Sequence, residues 1–215
     1  AVSKTQPADA VRALYACGQR SFGENYVQEA LAKQAELRDL AIEWHLIGPL
    51  QSNKCAEVAA HFDWLQTLDR AKLVPLLARH RPAQLPPLKV LIQVNIDDED
   101  SKSGVAPEAL WALAAHVAAE PRLSLRGLMA IPRPWPEAER RRASFLALQA
   151  LSQQLRERYP GADSLSMGMS EDFELALACV DARGFRPGQI EDGFALEIRL
   201  ADHAALAIRE PEELP

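Results

Sequence analysis

The sequence has few cysteines, and their placement excludes a small domain stabilised by zinc or by disulfides. Cys17, Cys55 and Cys179 are the three cysteines of the 215 residues, and they form no Cys-x-x-Cys pair and have no histidine at ligand spacing. A zinc site or a disulfide framework is therefore not expected. This usage fits a reducing, cytoplasmic setting.

Long apolar runs and excess positive charge are also missing. No run approaches the roughly 18 apolar residues of a membrane span, so we expect no membrane association. The net charge is −6 and the pI is about 5.4, which argues against a nucleic-acid partner because such binding needs a basic face. The cluster Arg140–Arg142 lies beside Glu137 and Glu139 and indicates a solvated helix start.

No signal peptide is recognisable at the first residues. The chain opens on Ala1–Lys4, which has the character of the end of a strand. We therefore expect a truncated first strand, with further residues upstream.

Short apolar runs alternate with stretches of helical period along the chain. The predicted strands are Ala1–Lys4, Ser21–Glu24, Trp44–Gly48, Trp64–Thr67, Lys89–Ile96, Leu125–Ile131 and Ser164–Met169. The predicted helices are Pro7–Cys17, Tyr26–Leu37, Lys54–His61, Ala71–Arg79, Pro107–Glu120, Glu137–Tyr159 and Glu171–Cys179. This alternation predicts an α/β fold with a parallel sheet covered by helices.

Two architectures have this alternation: an open doubly wound sheet and a closed (β/α)₈ TIM barrel. An open sheet that binds a dinucleotide carries a glycine-rich turn after its first strand. Here Lys4-Thr5-Gln6-Pro7 follows that strand, and neither G-x-G-x-x-G nor a Walker loop occurs anywhere. We therefore predict the barrel, in which functional residues lie where strands end.

Several strand-end residues have a functional and a structural interpretation. Lys4 is either a solvated lysine or an amine that forms a Schiff base with an aldehyde. Ser170 is predicted to cap the helix that follows, and a helix N-terminus can also bind an anion. His45 lies inside an apolar strand and is expected to be packed or hydrogen-bonded there. Met129, Met167 and Met169 are interpreted as core or pocket lining.

Six sequence blocks together resemble the pyridoxal phosphate homeostasis protein family. The longest block runs Trp-His-Leu-Ile-Gly-Pro-Leu-Gln-Ser-Asn-Lys, and all six occur in the family's order. The blocks are Ala1–Thr5, Phe22–Glu29, Trp44–Lys54, Ser101–Gly104, Arg126–Pro132 and Leu165–Ser170.

The resemblance implies a fold-type III barrel like the N-terminal domain of alanine racemase, with pyridoxal 5′-phosphate as the cofactor. The family's cofactor lysine matches Lys4, and an asparagine close to the cofactor matches Asn25. A serine that helps to hold the phosphate matches Ser170. No catalytic turnover is established for the family.

The sequence departs from the family pattern after Cys179, and the eighth strand is the element in question. The family's next segment supplies phosphate contacts and an arginine that faces the pyridine nitrogen. Arg186-Pro187-Gly188 matches it only in part, so Arg186 and Gly188 are the candidate counterparts. We divide the chain into a barrel over residues 1–179 and a divergent segment over residues 180–215, which possesses the length to complete the barrel.

The leading hypothesis is a non-catalytic protein that binds pyridoxal phosphate and serves its intracellular homeostasis. We expect a monomer whose partners are the cofactor and enzymes that require it. One alternative is a racemase or decarboxylase that uses the same barrel. The other is a barrel fragment whose cofactor site is broken by the altered C-terminus.

Overall fold

The computed structural model describes residues 1–99, 103–169, 171–181 and 196–197. In these ranges the helices are α1 Ala8–Ala16, α2 Val27–Glu36, α3 Cys55–His61, α4 Leu73–His80, α5 Leu110–Ala118, α6 Ala138–Arg158 and α7 Phe173–Asp181. The strands are β1 Ser21–Glu24, β2 Glu43–Leu46, β3 Trp64–Leu68, β4 Leu88–Gln93, β5 Leu123–Met129, β6 Ser164–Ser166 and β7 Leu196–Glu197. Short 3₁₀ turns precede α3 and α5, at Ser52–Lys54 and Pro107–Ala109.

Each strand of the described sheet pairs in parallel with the strand that follows it in the chain. The order is β1-β2-β3-β4-β5-β6-β7. The segment before α1 extends this order, because Val2 bridges Gly23 in parallel and the Gly23 N–H donates to the Ala1 carbonyl at 2.7 Å. A doubly wound sheet reverses its strand order at a switch point. The uninterrupted order is that of a barrel wall, as the alternation of elements predicted.

The main core lies between the sheet and the helices. Leu73, Val74 and Leu77 of α4 are fully or almost fully buried, at the spacing of one helical face. On the sheet, Phe22, Leu46, Leu65, Val90 and Leu128 complete the same apolar cluster. None of the helices in the described ranges is both long and apolar enough to cross a membrane.

The predicted boundaries shift at most strand and helix ends, and β4 and α7 are two examples. β4 ends at Gln93 rather than at Ile96, because the Val105 N–H donates to the Gln93 carbonyl and opens a loop. α7 begins at Phe173, so the residue directly before it is Asp172, whose carbonyl accepts the Ala176 N–H at 2.9 Å. The helix was predicted to begin at Glu171, and the predicted capping role of Ser170 falls on a residue outside the described ranges.

Arg81 fastens the amino-terminal side of the sheet. Its guanidinium is buried and donates to the carbonyls of Ala59 at 2.8 Å, Phe62 at 2.7 Å and Pro86 at 2.8 Å. These carbonyls lie at the end of α3 and just before β4. One side chain thus satisfies three backbone acceptors that would otherwise be left without a partner inside the protein.

Replacing Arg81 with methionine should lower the free energy of unfolding by about 3 kcal/mol, because buried carbonyls lose their donors. Urea denaturation followed by circular dichroism measures the change. Arg79→Met is the matched control, since Arg79 is exposed on the same helix, and it should stay within about 0.5 kcal/mol of wild type. Equal effects of the two substitutions would contradict the fastening role.

Candidate functional site

The sheet face that points away from the helices is filled with side chains. Trp64, Leu91 and Met129 form a separate buried apolar cluster there, with Ile131 packed against it. His45 stacks on the Trp64 ring, with centroids 5.2 Å apart. A ligand therefore has to bind above this filled interior, at the carboxyl ends of the strands.

A buried chain of hydrogen bonds crosses the same interior. Ser166 Oγ donates to Gln66 Oε1 at 2.9 Å, and Gln66 Nε2 lies 3.1 Å from His45 Nδ1. His45 Nε2 lies 3.3 Å from Glu43 Oε2. With Gln66 donating to Nδ1, the His45 proton lies on Nε2 and faces Glu43. The expectation of a packed, hydrogen-bonded His45 is confirmed, as is that of buried Met129 and Met167.

Glu43 collects further donors at the amino end of β2. Its Oε1 accepts from Lys89 Nζ at 2.6 Å and from Trp64 Nε1 at 2.8 Å. The hydrogen bond with His45, joined by those from Lys89 and Trp64, outweighs partial burial and holds the pKa of Glu43 well below its usual range. The amino end of the barrel interior is thus closed by a paired carboxylate.

Lys4 lies at the opposite, carboxyl edge of the sheet. Ser3 N–H donates to the Gly23 carbonyl at 3.0 Å, and Ser3 Oγ points towards the helix layer, where it donates to Glu24 Oε1 at 2.5 Å. Lys4 follows directly, in a turn that the Gln6 N–H closes on the Ser3 carbonyl at 3.1 Å. Lys4 is partly buried. It occupies the place that the sequence predicted.

Asn25 follows β1 at the same edge. The Asn25 carbonyl packs so closely on Gly48 that a Cβ at Gly48 would lie 2.1 Å from this oxygen. Only glycine permits this approach. Within the described residues the Asn25 side-chain amide makes no hydrogen bond and is partly exposed, so it is available to a ligand near Lys4.

The next two loops along the edge are fixed by their own hydrogen bonds. Thr67 Oγ1 donates to the Gly48 carbonyl at 2.6 Å, and Arg70 Nη2 donates to the Leu50 carbonyl at 2.5 Å. Asn95 uses its side chain within its own loop, donating to the Glu99 carbonyl and accepting the Glu99 N–H. These hydrogen bonds hold the described parts of the loops after β2 and β4 at the edge of the sheet.

The loop after β6 approaches α7 at Gly168. Gly168 has a φ of +87°, and an added Cβ would lie 2.9 Å from the Ala176 Cβ. The Met169 N–H donates to Asp172 Oδ1 at 2.6 Å. The other predicted cofactor-binding residues, Ser170, Arg186 and Gly188, all lie outside the described residues.

A second polar cluster beside Lys4 was missed from the sequence. Lys33 Nζ donates to Glu24 Oε1 at 2.8 Å, to Glu29 Oε1 at 2.7 Å and to the Ser3 carbonyl at 2.6 Å. A signal was present, because Lys33 continues the buried helical spacing of Val27 and Ala30. A lysine on a buried helical face requires a buried partner.

Comparison with known families agrees with this geometry. The family model described as the alanine racemase N-terminal domain matches residues 1–191. The pyridoxal phosphate homeostasis protein of Pseudomonas aeruginosa is 55% identical over 177 residues, which cover 82% of this chain and 76% of that protein. The protein of the same name from Escherichia coli K12 is 52% identical over 181 residues, covering 83% and 77%.

The chain belongs to this family. Among solved structures, PipY of Synechococcus elongatus is 38% identical to it, with TM-scores of 0.80 without and 0.78 with pyridoxal phosphate bound. Each match covers 93% of this chain and 88% of PipY. Alanine racemase from Corynebacterium glutamicum shares the fold at 18% identity and a TM-score of 0.58, over 81% of this chain and 49% of the racemase.

The described residues fit the aldehyde end of the family's cofactor. Lys4 supplies a primary amine at the barrel edge, and the neighbouring Asn25 amide supplies polar atoms within the same loop cluster. An amine is the group that condenses with an aldehyde. The fit to the rest of the cofactor depends on Ser170, Arg186 and Gly188.

Glu43→Gln should reduce stability at neutral pH by an amount that shrinks in acid. The folded-state pKa of Glu43 is depressed, so its contribution is complete above the ordinary glutamate pKa of about 4.3 and is lost as the pH falls below that value. Unfolding free energies of wild type and variant between pH 7 and 3 test this. The exposed Glu108→Gln is the control and should give a small, constant difference, whereas a constant difference for Glu43→Gln would contradict the assignment.

Proposed function

We propose that this protein binds pyridoxal 5′-phosphate through Lys4 and serves the homeostasis of that cofactor without turning over a substrate. The observation that carries the proposal is the position of Lys4: it follows the segment that bridges β1, at the carboxyl edge of the barrel wall. The family membership and the pyridoxal phosphate bound by PipY support the same cofactor.

We propose further that the sheet closes as a (β/α)₈ barrel. The Ala1–Ser3 segment and the seven strands make eight parallel segments in the described residues. β7 pairs with β6 through Leu165↔Leu196 and Ser166↔Glu197, which supports a role for residues 180–215 in completing a barrel begun by residues 1–179. The filled inner face is the usual content of such a barrel.

The proposed bond between protein and cofactor needs no further reagent. The Lys4 amine adds to the aldehyde carbon, and one water molecule leaves as the carbon–nitrogen double bond forms. Asn25 would contact the ring side of the cofactor. Ser170 would hold the phosphate with the N–H groups before α7, and Arg186 and Gly188 are the candidates for the family's remaining cofactor contacts.

A role without turnover is supported by the relatives from Pseudomonas aeruginosa and Escherichia coli, which are named as homeostasis proteins. Racemisation needs acid and base groups on both faces of the bound amino acid, and Lys4 supplies only one of them. We propose enzymes that require the cofactor as partners, a monomeric state, and the cytoplasm as the compartment, in keeping with the free cysteines.

Borohydride reduction of the protein with pyridoxal phosphate should place the pyridoxyl group on Lys4. Peptide mass spectrometry locates the label, and Lys4→Ala should abolish both the label and the absorbance of the bound cofactor. Lys54→Ala is the matched control, because Lys54 also lies in a loop after a strand but pairs with Glu57 at 3.1 Å. Label on Lys54 or Lys89 would contradict the assignment, and the absence of any label would favour the cofactor-deficient fragment.

Alanine and serine should show no racemisation at enzymatic rates when the protein is saturated with pyridoxal phosphate. Chiral chromatography and deuterium incorporation at the α-carbon measure this directly. Loss of the α-proton should stay far below about 1 s⁻¹, the lower end of ordinary turnover numbers. Turnover at or above that rate, abolished by Lys4→Ala, would instead establish the racemase alternative.

A further inference from the structure

Lys4 occupies the second position of a tight turn. The Gln6 N–H donates to the Ser3 carbonyl at 3.1 Å, which closes the turn Ser3-Lys4-Thr5-Gln6. Thr5, at the third position, has a φ of +61°. Turns of this kind favour glycine there, and a β-branched residue adopts this left-handed conformation only at a cost in free energy. The turn therefore needs interactions that hold it.

Two side chains of α2 supply those interactions on either side of Lys4. Lys33 Nζ donates to the carbonyl of Ser3 at 2.6 Å, and Glu29 Oε1 accepts the N–H of Thr5 at 2.6 Å. Lys33 and Glu29 are themselves paired at 2.7 Å, one helical turn apart. The backbone before Lys4 and the backbone after it are thus bound to one ion pair, which we name the Lys33–Glu29 clamp.

The clamp is anchored below the surface. The Lys33 side chain is only 7% exposed, and it also pairs with Glu24 at 2.8 Å, whose side chain is fully buried. Burial raises the pKa of Glu24 against the opposing hydrogen bonds from Lys33 and Ser3. Glu29, at 29% exposed, lies at the rim. Lys33 is consequently held beside the Ser3 carbonyl by carboxylates from both β1 and α2.

We propose that Lys33 and Glu29 are positioning residues, which hold the strained turn so that the Lys4 amine is presented at the barrel edge for its aldehyde ligand. This inference rests on the proposed role of Lys4. The clamp binds two backbone groups of the turn, the Ser3 carbonyl and the Thr5 N–H. Its removal should therefore leave the Lys4 side chain intact and change how often the amine is correctly placed.

The test compares Glu29→Ala, Glu29→Gln and Glu36→Ala. Glu29→Ala removes the acceptor of the Thr5 N–H, whereas Glu29→Gln keeps an oxygen in that place. Glu36→Ala removes an exposed carboxylate from the same helix. Glu29→Ala should bind pyridoxal phosphate about tenfold more slowly and more weakly, as expected for the loss of one charge-assisted hydrogen bond. The other two variants should stay within about twofold of wild type.

Amide hydrogen exchange of the cofactor-free protein gives a readout that does not depend on binding. In Glu29→Ala the peptide that contains Ser3 to Gln6 should exchange about tenfold faster, because the Thr5 N–H loses its acceptor. Glu29→Gln and Glu36→Ala should exchange like wild type. Lys33→Met removes the other half of the clamp, the donor to the Ser3 carbonyl, and should also make this peptide exchange faster. Circular dichroism and the melting temperature show whether this variant folds.

A double variant tests whether the clamp acts through the conformation of Thr5 or through the general rigidity of the turn. Adding Thr5→Gly to Glu29→Ala removes the steric cost of the left-handed conformation. Cofactor binding should then recover at least partly, while the fast exchange of the turn persists. No recovery in the double variant would overturn the proposal that the clamp acts by holding Thr5.

The outcomes also distinguish this inference from the proposed function. If wild type carries the reduced label on Lys4 but Glu29→Ala binds the cofactor within twofold of wild type, the clamp is rejected and the function stands. If wild type carries no label on Lys4, the proposed function fails and this inference fails with it. The exchange data would then still report whether Glu29 orders the turn.

Discussion

Parallel pairing between successive strands is the constraint on which the rest of this structure depends. It sends all described strands in one direction, so that their carboxyl ends meet at a single edge. The loops that begin there bring Lys4, Asn25 and Gly48 together, although they are distant in the sequence. Hydrogen bonds between the backbones set this proximity, as the 2.7 Å bond from the Gly23 N–H to the Ala1 carbonyl shows for the first segment.

Buried charges have different roles at the two ends of the barrel interior. At the amino end, Glu43 has four neutral or cationic donors, and this pairing keeps the carboxylate charged although it is partly buried. At the carboxyl edge, Lys33 and Glu29 bind backbone atoms of a turn. The first arrangement closes the interior, and the second fixes the place of one side chain. Residues at the amino end of such barrels serve stability, and those at the carboxyl end serve function.

The elements of the fold were largely predictable because each strand and helix carries its own local pattern. β1 was predicted with its observed bounds, since Ser21–Glu24 lies between a glycine-containing turn and a regular helical pattern. Helix ends were less predictable, as α7 shows. There the start depends on the Met169–Asp172 hydrogen bond, and the spacing of apolar residues does not reveal it.

The candidate site was predictable in part. Lys4 and Asn25 follow strands, and the topology brings strand ends together. The clamp was not predicted, because its bonds connect α2 to a turn that lies 30 residues earlier in the chain. Ser170, Arg186 and Gly188 came from the family resemblance, and their roles remain predictions.

The buried position of Lys33 is better explained by the backbone conformation that it fixes than by a gain in the free energy of unfolding. Removing an ammonium group and two carboxylates from water costs free energy that their mutual attraction offsets only when the geometry is good. A well-packed apolar side chain at this position would avoid that cost, yet it would leave the Ser3 carbonyl without this donor. An apolar side chain also could not bind Glu29, which holds the Thr5 N–H. The ion pair therefore specifies one backbone conformation at Lys4, and this specificity is what an amine needs when it must meet an aldehyde at a defined place.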